Sequence, residues 1–87
     1  MSTYVFHIDP GHAWLEVSRN ELIASGVASK ISRYSYERGD FVYLEEDCDM
    51  SLFLNTLNRH FAFDERHIDD THPIRNYNTF TVRAGEV

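Results

Sequence analysis

The chain has 87 residues, 43% of them hydrophobic and 14% aromatic, which is enough apolar material for one small core. We therefore expect a single domain over residues 1–87. Fourteen acidic residues against eight basic ones give a net charge of −6, which disfavours direct binding to duplex DNA and to anionic membranes.

Two extended segments, residues 3–8 and 12–17, are rich in β-branched and aromatic side chains and flank a turn sequence at residues 9–11. They predict a β-hairpin, in which Gly11 supplies the positive φ of a type II turn. Alternation places Tyr4, Phe6 and Ile8 on one face of the first strand, and Ala13, Leu15 and Val17 on one face of the second. His12, Trp14 and Glu16 take the opposite face of the second strand.

The middle of the chain predicts a short helix and then a second hairpin. Ser18 and Glu21 have the spacing of a capping box, and Gly26 suits a left-handed C-terminal cap, so a helix of about two turns is expected between them. The segments 30–36 and 41–46 both alternate in polarity around a glycine-containing turn. They are predicted to be the third and fourth strands.

The last part of the chain predicts a longer helix and a closing strand. Apolar residues recur at helical spacing over residues 50–61, which indicates an amphipathic helix. Residues 77–82 are predicted to be a strand, and residues after Arg83 are expected to fray. The predicted fold class is α+β, with an antiparallel sheet in the order ββαββαβ and one short and one longer helix packed on it.

The cysteine content and the first residues of the chain predict a cytoplasmic location. The single cysteine, Cys48, excludes an intramolecular disulfide and is typical of a reducing environment. The first residues contain neither a basic stretch nor a long apolar run, so neither a signal peptide nor a membrane helix is predicted there. We therefore expect a cytoplasmic protein without a membrane partner.

Two adjoining features of the second hairpin predict a surface for a protein partner. Aromatic residues and arginines interleave along its strands, a composition enriched at protein interfaces. Six carboxylates fall within residues 37–49, and such an acidic segment complements a basic groove that normally holds nucleic acid. The alternative interpretation is an ordinary core and a solvated charged surface. The candidate partner-binding residues are Arg33, Tyr34, Tyr36, Arg38, Tyr43, Glu45, Glu46, Asp47 and Asp49.

A second hypothesis is a metal site, because histidines and aspartates recur in segments 7–12 and 67–72. Such a site would belong to a small metal-binding protein or a metal-dependent hydrolase. The candidate ligands are His7, Asp9 and His12, with His67 or His72 as a further ligand. No phosphate-binding loop, catalytic triad frame or cysteine pair is present, so the sequence predicts no cofactor and favours a binding protein over an enzyme.

The chain contains two long motifs, His7-x-Asp9-Pro10-Gly11-His12-Ala13-Trp14-Leu15-x-Val17 and Ser32-Arg33-Tyr34-Ser35-Tyr36-x-Arg38-Gly39-Asp40-x-Val42-Tyr43-Leu44-Glu45-Glu46-Asp47-Cys48-Asp49. With the region around Ile74, Arg75 and Phe80, they resemble a family of small uncharacterised bacterial proteins found on phages, prophages and plasmids. The resemblance carries no activity. It implies a context in which a short acidic protein occupies a host protein, including nucleic-acid-handling and defence complexes such as CRISPR machinery.

The leading functional expectation is therefore an acidic protein-interaction module of a mobile genetic element. It would inhibit a host nucleic-acid-handling or defence complex by occupying a basic surface, as an anti-CRISPR protein does. Its partner would be a host or phage protein, and the module itself a monomer or homodimer. A third hypothesis, a phage structural or assembly protein, fits the same resemblance.

Overall fold

The computed structural model describes residues 2–86, and these form an α+β fold around one mixed six-stranded sheet. The strands lie in the order β5-β1-β2-β4-β3-β6 across the sheet. Their bounds are β1 Ser2–Ile8, β2 Ala13–Ser18, β3 Tyr36–Arg38, β4 Phe41–Glu45, β5 Phe61–His67 and β6 Asn78–Thr79. The helices are α1 Arg19–Ser25 and α2 Met50–Leu54, and single 3₁₀ turns occur at Ala28–Lys30 and Pro73–Asn76.

The first hairpin is confirmed, since β1 and β2 pair antiparallel with Phe6 opposite Leu15. The turn between them is not the predicted type, because Gly11 does not have a positive φ. Asp9 shapes this turn instead, as its Oδ1 accepts hydrogen bonds from the backbone N–H groups of Gly11 and His12. A Cβ at position 11 would lie 2.9 Å from Nη2 of Arg75, so a larger residue there would displace that guanidinium.

The first helix follows its predicted caps. The Oγ of Ser18 accepts a hydrogen bond from the backbone N–H of Glu21 at 3.1 Å, which satisfies a donor at the N-terminus of α1. Gly26 ends the helix in the left-handed conformation with a φ of 85°. Leu22 of this helix is fully buried in the core, as a helix this short requires.

The prediction of an antiparallel sheet is wrong, because β5 pairs parallel with β1 from Ser2 opposite Phe61 to Ile8 opposite His67. The predicted helix over residues 50–61 stops at Leu54, and α2 is shorter than α1. Asparagine and threonine follow Leu54 and have low helix propensity, while Phe61 begins the edge strand β5. The observed order is thus ββαββαββ.

The second hairpin is confirmed, but its first strand is short. The predicted strand over residues 30–36 begins only at Tyr36, where β3 starts. The preceding serines pair instead with the buried carboxylate of Asp49. Its Oδ1 accepts from the N–H of Ser32 at 3.0 Å, and its Oδ2 accepts from the hydroxyls of Ser32 and Ser35. Serine side chains bonded in this way compete with a strand ladder.

Residues 84–86 are held in place where fraying was predicted, as Glu86 Oε1 lies 2.7 Å from Nη2 of the buried Arg19, and Val87 lies outside the described residues. Arg19 also bonds Glu37 at 3.1 Å and the carbonyl oxygen of Thr81 at 2.7 Å. The guanidinium of Arg19 is therefore satisfied inside the protein. The closing strand is likewise shorter than predicted, because β6 covers only Asn78–Thr79.

The sheet carries apolar residues on both faces. On one face, the apolar side chains of β1 and β2 pack against α1 and α2 and form the main core. The buried residues of this core are Tyr4, Phe6, Ala13, Leu15, Val17, Leu22, Ala28, Val42, Leu44, Phe53 and Phe80. On the opposite face Trp14 and Tyr43 pack under Ile74 of the second 3₁₀ turn, with Tyr36 and Tyr77 at their sides. Among residues 2–86 no helix has the length and apolarity needed to cross a membrane.

Candidate partner-binding site

A cavity of about 250 Å³ opens on the Trp14 face of the sheet, next to the smaller core. We call it the Trp14 pocket. Binding sites for small-molecule ligands usually measure roughly 300–1,000 Å³, so this pocket is better matched to a single side chain. Its lining residues are His12, Trp14, Tyr34, Tyr36, Glu45, Asp47, Cys48 and Arg75.

Aromatic rings and one fixed guanidinium form one side of the Trp14 pocket. Trp14 is 2% exposed, and its ring centroid lies 6.4 Å from that of Tyr36 in an edge-to-face arrangement. The guanidinium carbon of Arg75 lies 5.5 Å from the Trp14 centroid. The indole Nε1 of Trp14 is buried and has no hydrogen-bond partner among the described residues.

Asp9 fixes Arg75 in this position. Nε of Arg75 lies 2.8 Å from Oδ2 of Asp9, and Nη2 lies 2.9 Å from Oδ1. This pairing, together with backbone N–H donors from His72, His12 and Gly11, holds the pKa of the Asp9 carboxyl well below its usual range although burial acts against it. The carboxylate of Asp9 therefore neutralises the charge of Arg75 where Arg75 lines the pocket.

Carboxylates form another side of the Trp14 pocket. The side chain of Glu45 is buried and accepts backbone N–H groups from Asp47 at 3.1 and 3.2 Å and from Cys48 at 3.1 Å. His12 Nδ1 lies 3.7 Å from the same carboxylate. The hydrogen bond to Glu45 and burial raise the pKa of the Cys48 thiol, which keeps it protonated and weakly nucleophilic. Asp47, in contrast, is exposed and lies free at the pocket.

The predicted partner-binding residues separate into surface and interior groups. Tyr36 is half-buried, and Tyr34, with 53% of its surface exposed, is among the most exposed large rings. The side chains that face solvent are Arg33, Tyr34, Arg38, Glu46 and Asp47. The interior side chains are Tyr43, Glu45 and Asp49. The solvent-facing side chains can contact a partner without rearrangement of the fold, whereas Glu45 and the half-buried Tyr36 can be reached only through the Trp14 pocket that they line.

Each interior member has a structural role. The Tyr43 ring packs 5.3 Å from that of Tyr77, and burial, followed by the charge of Glu16, raises the pKa of Tyr43 to about 12. Asp49 satisfies the serines that precede β3, and Glu45 caps the turn that follows β4. These buried groups find hydrogen-bond partners inside the protein, as buried polar groups generally do.

The acidic segment 37–49 does not form one continuous surface. Glu37 pairs with the buried Arg19, while Glu45 and Asp49 lie inside. The carboxylates of the segment that remain exposed are Asp40, Glu46 and Asp47. Because three of the six predicted charges serve internal contacts, extended imitation of a phosphate backbone by this segment has less support than a local acidic site.

The two histidine and aspartate segments meet only in part, where His72 lies beside His7 and Asp9. The rings of His7 and His72 lie 4.9 Å apart, and the backbone N–H of His72 donates to Asp9 at 2.9 Å. His7 Nε2 lies 3.1 Å from Glu16. His12 faces the Trp14 pocket, and His67 lies beside Glu65 on β5. Within residues 2–86 these side chains form no group of three suited to holding a metal ion.

Four residues that line the Trp14 pocket were predicted to bind a partner, whereas Trp14, Cys48 and Arg75 were not. The four are Tyr34, Tyr36, Glu45 and Asp47. A signal for Arg75 was present, because Trp14 was predicted on the strand face opposite Leu15 and Val17, and a large ring there needs a cover. Ile74 supplies that cover, and Arg75 follows it directly. The approach of Arg75 to Asp9 spans 66 residues of chain and has no local pattern.

Comparison of the chain with protein-family models, with curated proteins and with solved structures finds no match. The functional interpretation therefore depends on the chemistry of the Trp14 pocket and of the exposed side chains beside it. Those features are aromatic and acidic, and they are accessible to another macromolecule.

Proposed function

We propose that the protein is a small acidic interaction module that docks on a basic surface of a partner protein. The docking face comprises the Trp14 pocket and the exposed side chains of Arg33, Tyr34, Glu46 and Asp47. The observation that carries the proposal is the pocket itself, where aromatic rings meet carboxylates beside an exposed tyrosine.

Aromatic exposure supports the choice of this face. Tyrosine and arginine are enriched in protein interfaces because each supplies a large contact area together with hydrogen-bonding groups. Arg33 places its guanidinium carbon 5.4 Å from the ring centroid of Tyr34, so the two side chains form one exposed pair. A concave pocket beside such a pair can receive a side chain of the partner, which is the usual arrangement of an interface hot spot.

Charge supports the choice of partner. With a net charge of −6, the protein is attracted to positive surfaces, and such attraction accelerates association and weakens as salt is added. Protein surfaces that hold nucleic acid are among the most positive. Taken with the resemblance to phage, prophage and plasmid proteins, this favours a host nucleic-acid-handling or defence complex as the partner, inhibited by occupation of its basic surface.

A pull-down from bacterial lysate with paired variants tests the proposal. We expect the wild-type protein to capture a discrete partner at low salt, with less captured as salt increases. The double variant Tyr34→Ala, Asp47→Lys should lose that partner, because it removes the exposed ring and reverses the charge at the pocket. Capture that is equal for wild type and double variant would contradict the proposal.

The matched control is Glu65→Lys, which makes the same charge change on an exposed residue of β5, the strand at the edge of the sheet. It should capture the partner as well as wild type does. If Glu65→Lys abolishes capture to the same extent, net charge alone explains the binding and the docking face is wrong. Thermal unfolding of every variant checks that each remains folded.

A further inference from the structure

The geometry points to one occupant of the Trp14 pocket, the guanidinium group of an arginine side chain inserted by the partner. The inference depends on the proposed function, because it names the group through which the partner engages the docking face. It follows from three properties of the pocket, namely its ring faces, its charge and its size.

Ring faces in this protein already bind guanidinium groups. The guanidinium carbons of Arg19 and Arg38 lie 5.0 Å from the ring centroids of Phe80 and Tyr77 respectively. Arg75 lies over Trp14 in the same way. Stacking of this kind combines cation–π attraction with contact between two flat groups. The rings of Tyr34 and Tyr36 line the pocket and are only partly covered, so they are available to an incoming cation. Arg33 already lies over the Tyr34 ring at 5.4 Å, and a second guanidinium would use the uncovered part of that ring.

Charge in the pocket selects a cation over an anion. Glu45 and Asp47 both line it, and the carboxylate of Glu45 is held in place by backbone N–H groups. The positive charge of Arg75 is neutralised by its paired contact with Asp9. A phosphate or carboxylate would therefore be repelled by Glu45 and Asp47, whereas a guanidinium would gain an ion pair with the exposed Asp47.

Size and shape favour arginine over lysine. A volume of about 250 Å³ suits a single side chain better than a larger ligand, for which pockets usually measure roughly 300–1,000 Å³. A guanidinium can stack on a tyrosine ring and still direct two parallel N–H groups at a carboxylate, whereas an ammonium acts as a point charge. Arginine therefore uses the rings and the acidic side of the pocket at the same time.

Titration of the full chain with short peptides tests this inference, followed by ¹H–¹⁵N NMR. The probes are acetyl-Gly-Arg-Gly-amide, its lysine analogue and its citrulline analogue, which has nearly the same shape but no charge. Trp14 is the only tryptophan, so its indole N–H gives one assigned signal at the pocket. We expect saturable shifts of that signal with the arginine peptide, at a Kd on the order of 1 mM for so small a contact.

The lysine peptide should bind at least about threefold more weakly and the citrulline peptide should give no saturable shift. Asp47→Asn should weaken binding of the arginine peptide by about fivefold through loss of the ion pair. Glu65→Gln is the matched control and should leave it unchanged. Equal binding of all three peptides, or shifts confined to residues away from the pocket, would overturn the inference.

The two proposals fail in different ways. If the arginine peptide leaves the Trp14 signal unchanged while capture of the partner still requires Tyr34 and Asp47, the arginine assignment is wrong and the docking face stands. If arginine peptides bind the pocket but the pull-down is insensitive to Tyr34→Ala, Asp47→Lys, the pocket binds guanidinium groups and the proposed function is wrong.

Discussion

Arg75 binds the buried carboxylate of Asp9 through two nitrogens, with Nε 2.8 Å from Oδ2 and Nη2 2.9 Å from Oδ1. Asp9 also accepts backbone N–H groups from Gly11, His12 and His72. This carboxylate therefore joins the turn between β1 and β2 to the segment that covers Trp14. The shape of the Trp14 pocket depends on that connection.

Replacement of Asp9 by asparagine should destabilise the protein by about 2–3 kcal/mol, because Arg75 loses its charged partner while a neutral acceptor remains. Urea denaturation measures the change, and Asp69→Asn on the exposed loop is the control that should leave stability unaltered. Since the folded pKa of Asp9 lies below its unfolded value, this stabilisation is full at neutral pH and declines below about pH 4. An unaltered denaturation midpoint in Asp9→Asn would contradict this account.

Asp47 and Asp49 provide a matched pair that separates surface from interior. Asp49→Ala leaves the Ser32 and Ser35 hydroxyls without their buried acceptor, so we expect a loss of about 3 kcal/mol in unfolding free energy. Asp47→Ala should leave that free energy unchanged and reduce binding of the arginine peptide. The reverse pattern, with Asp47 important for stability and Asp49 for binding, would show that the two carboxylates have been assigned the wrong roles.

Arg19 should be the most sensitive arginine for stability. Arg19→Met removes the cation between Glu37 and Glu86 and leaves the carbonyl of Thr81 without this donor, for an expected loss of about 3 kcal/mol. Arg33→Met, on an exposed arginine, is the control and should unfold like wild type. The Arg19 hydrogen bond, followed by the backbone N–H of Arg83, lowers the pKa of Glu86 to about 2. Equal stability of the two variants would refute the internal role of Arg19.

His72 should make stability depend on mildly acidic pH. Burial, followed by the neighbouring His7, lowers the pKa of His72, and its Nδ1 accepts the backbone N–H of Ile74 at 3.0 Å. Above the pKa near 6.5 that His72 has in the unfolded chain, the ring is neutral in both the folded and the unfolded state. Below that pH the unfolded chain takes up the proton first. Stability should therefore fall as the pH decreases from about 6.5.

His72→Asn supplies the control for this pH effect, because asparagine retains a side-chain acceptor for the N–H of Ile74 and does not titrate. The melting temperature of wild type should decline more steeply between pH 7 and pH 5.5 than that of the variant. Parallel curves for the two proteins would show that His72 makes no contribution in this range.

The sequence predicted the elements that depend on local pattern and missed those that depend on distant partners. The first hairpin was predictable because alternation around residues 9–11 sets both faces. The parallel pairing of Phe61 with Ser2 was not, since β5 finds its partner at the other end of the chain. Likewise, no local signal shows that Asp49 takes Ser32 and Ser35 out of the predicted strand.

The candidate site was only partly predicted, because some of its residues are identified by local composition and others only by the fold. Interleaved aromatic and acidic residues marked Tyr34 and Asp47, and both are exposed at the Trp14 pocket. Composition could not separate them from Tyr43 and Glu45, because burial of an individual side chain depends on the register of the whole sheet.

Site-specific photo-crosslinking in a bacterial host tests the docking face most directly. p-Benzoylphenylalanine placed at Tyr34 in the otherwise unchanged chain should give a discrete crosslinked product with another protein. The same group at Glu65 on β5 should give none, although that position is also exposed. Absence of a crosslink at Tyr34, or the same crosslinked product from both positions, would contradict the proposal that this face binds a partner.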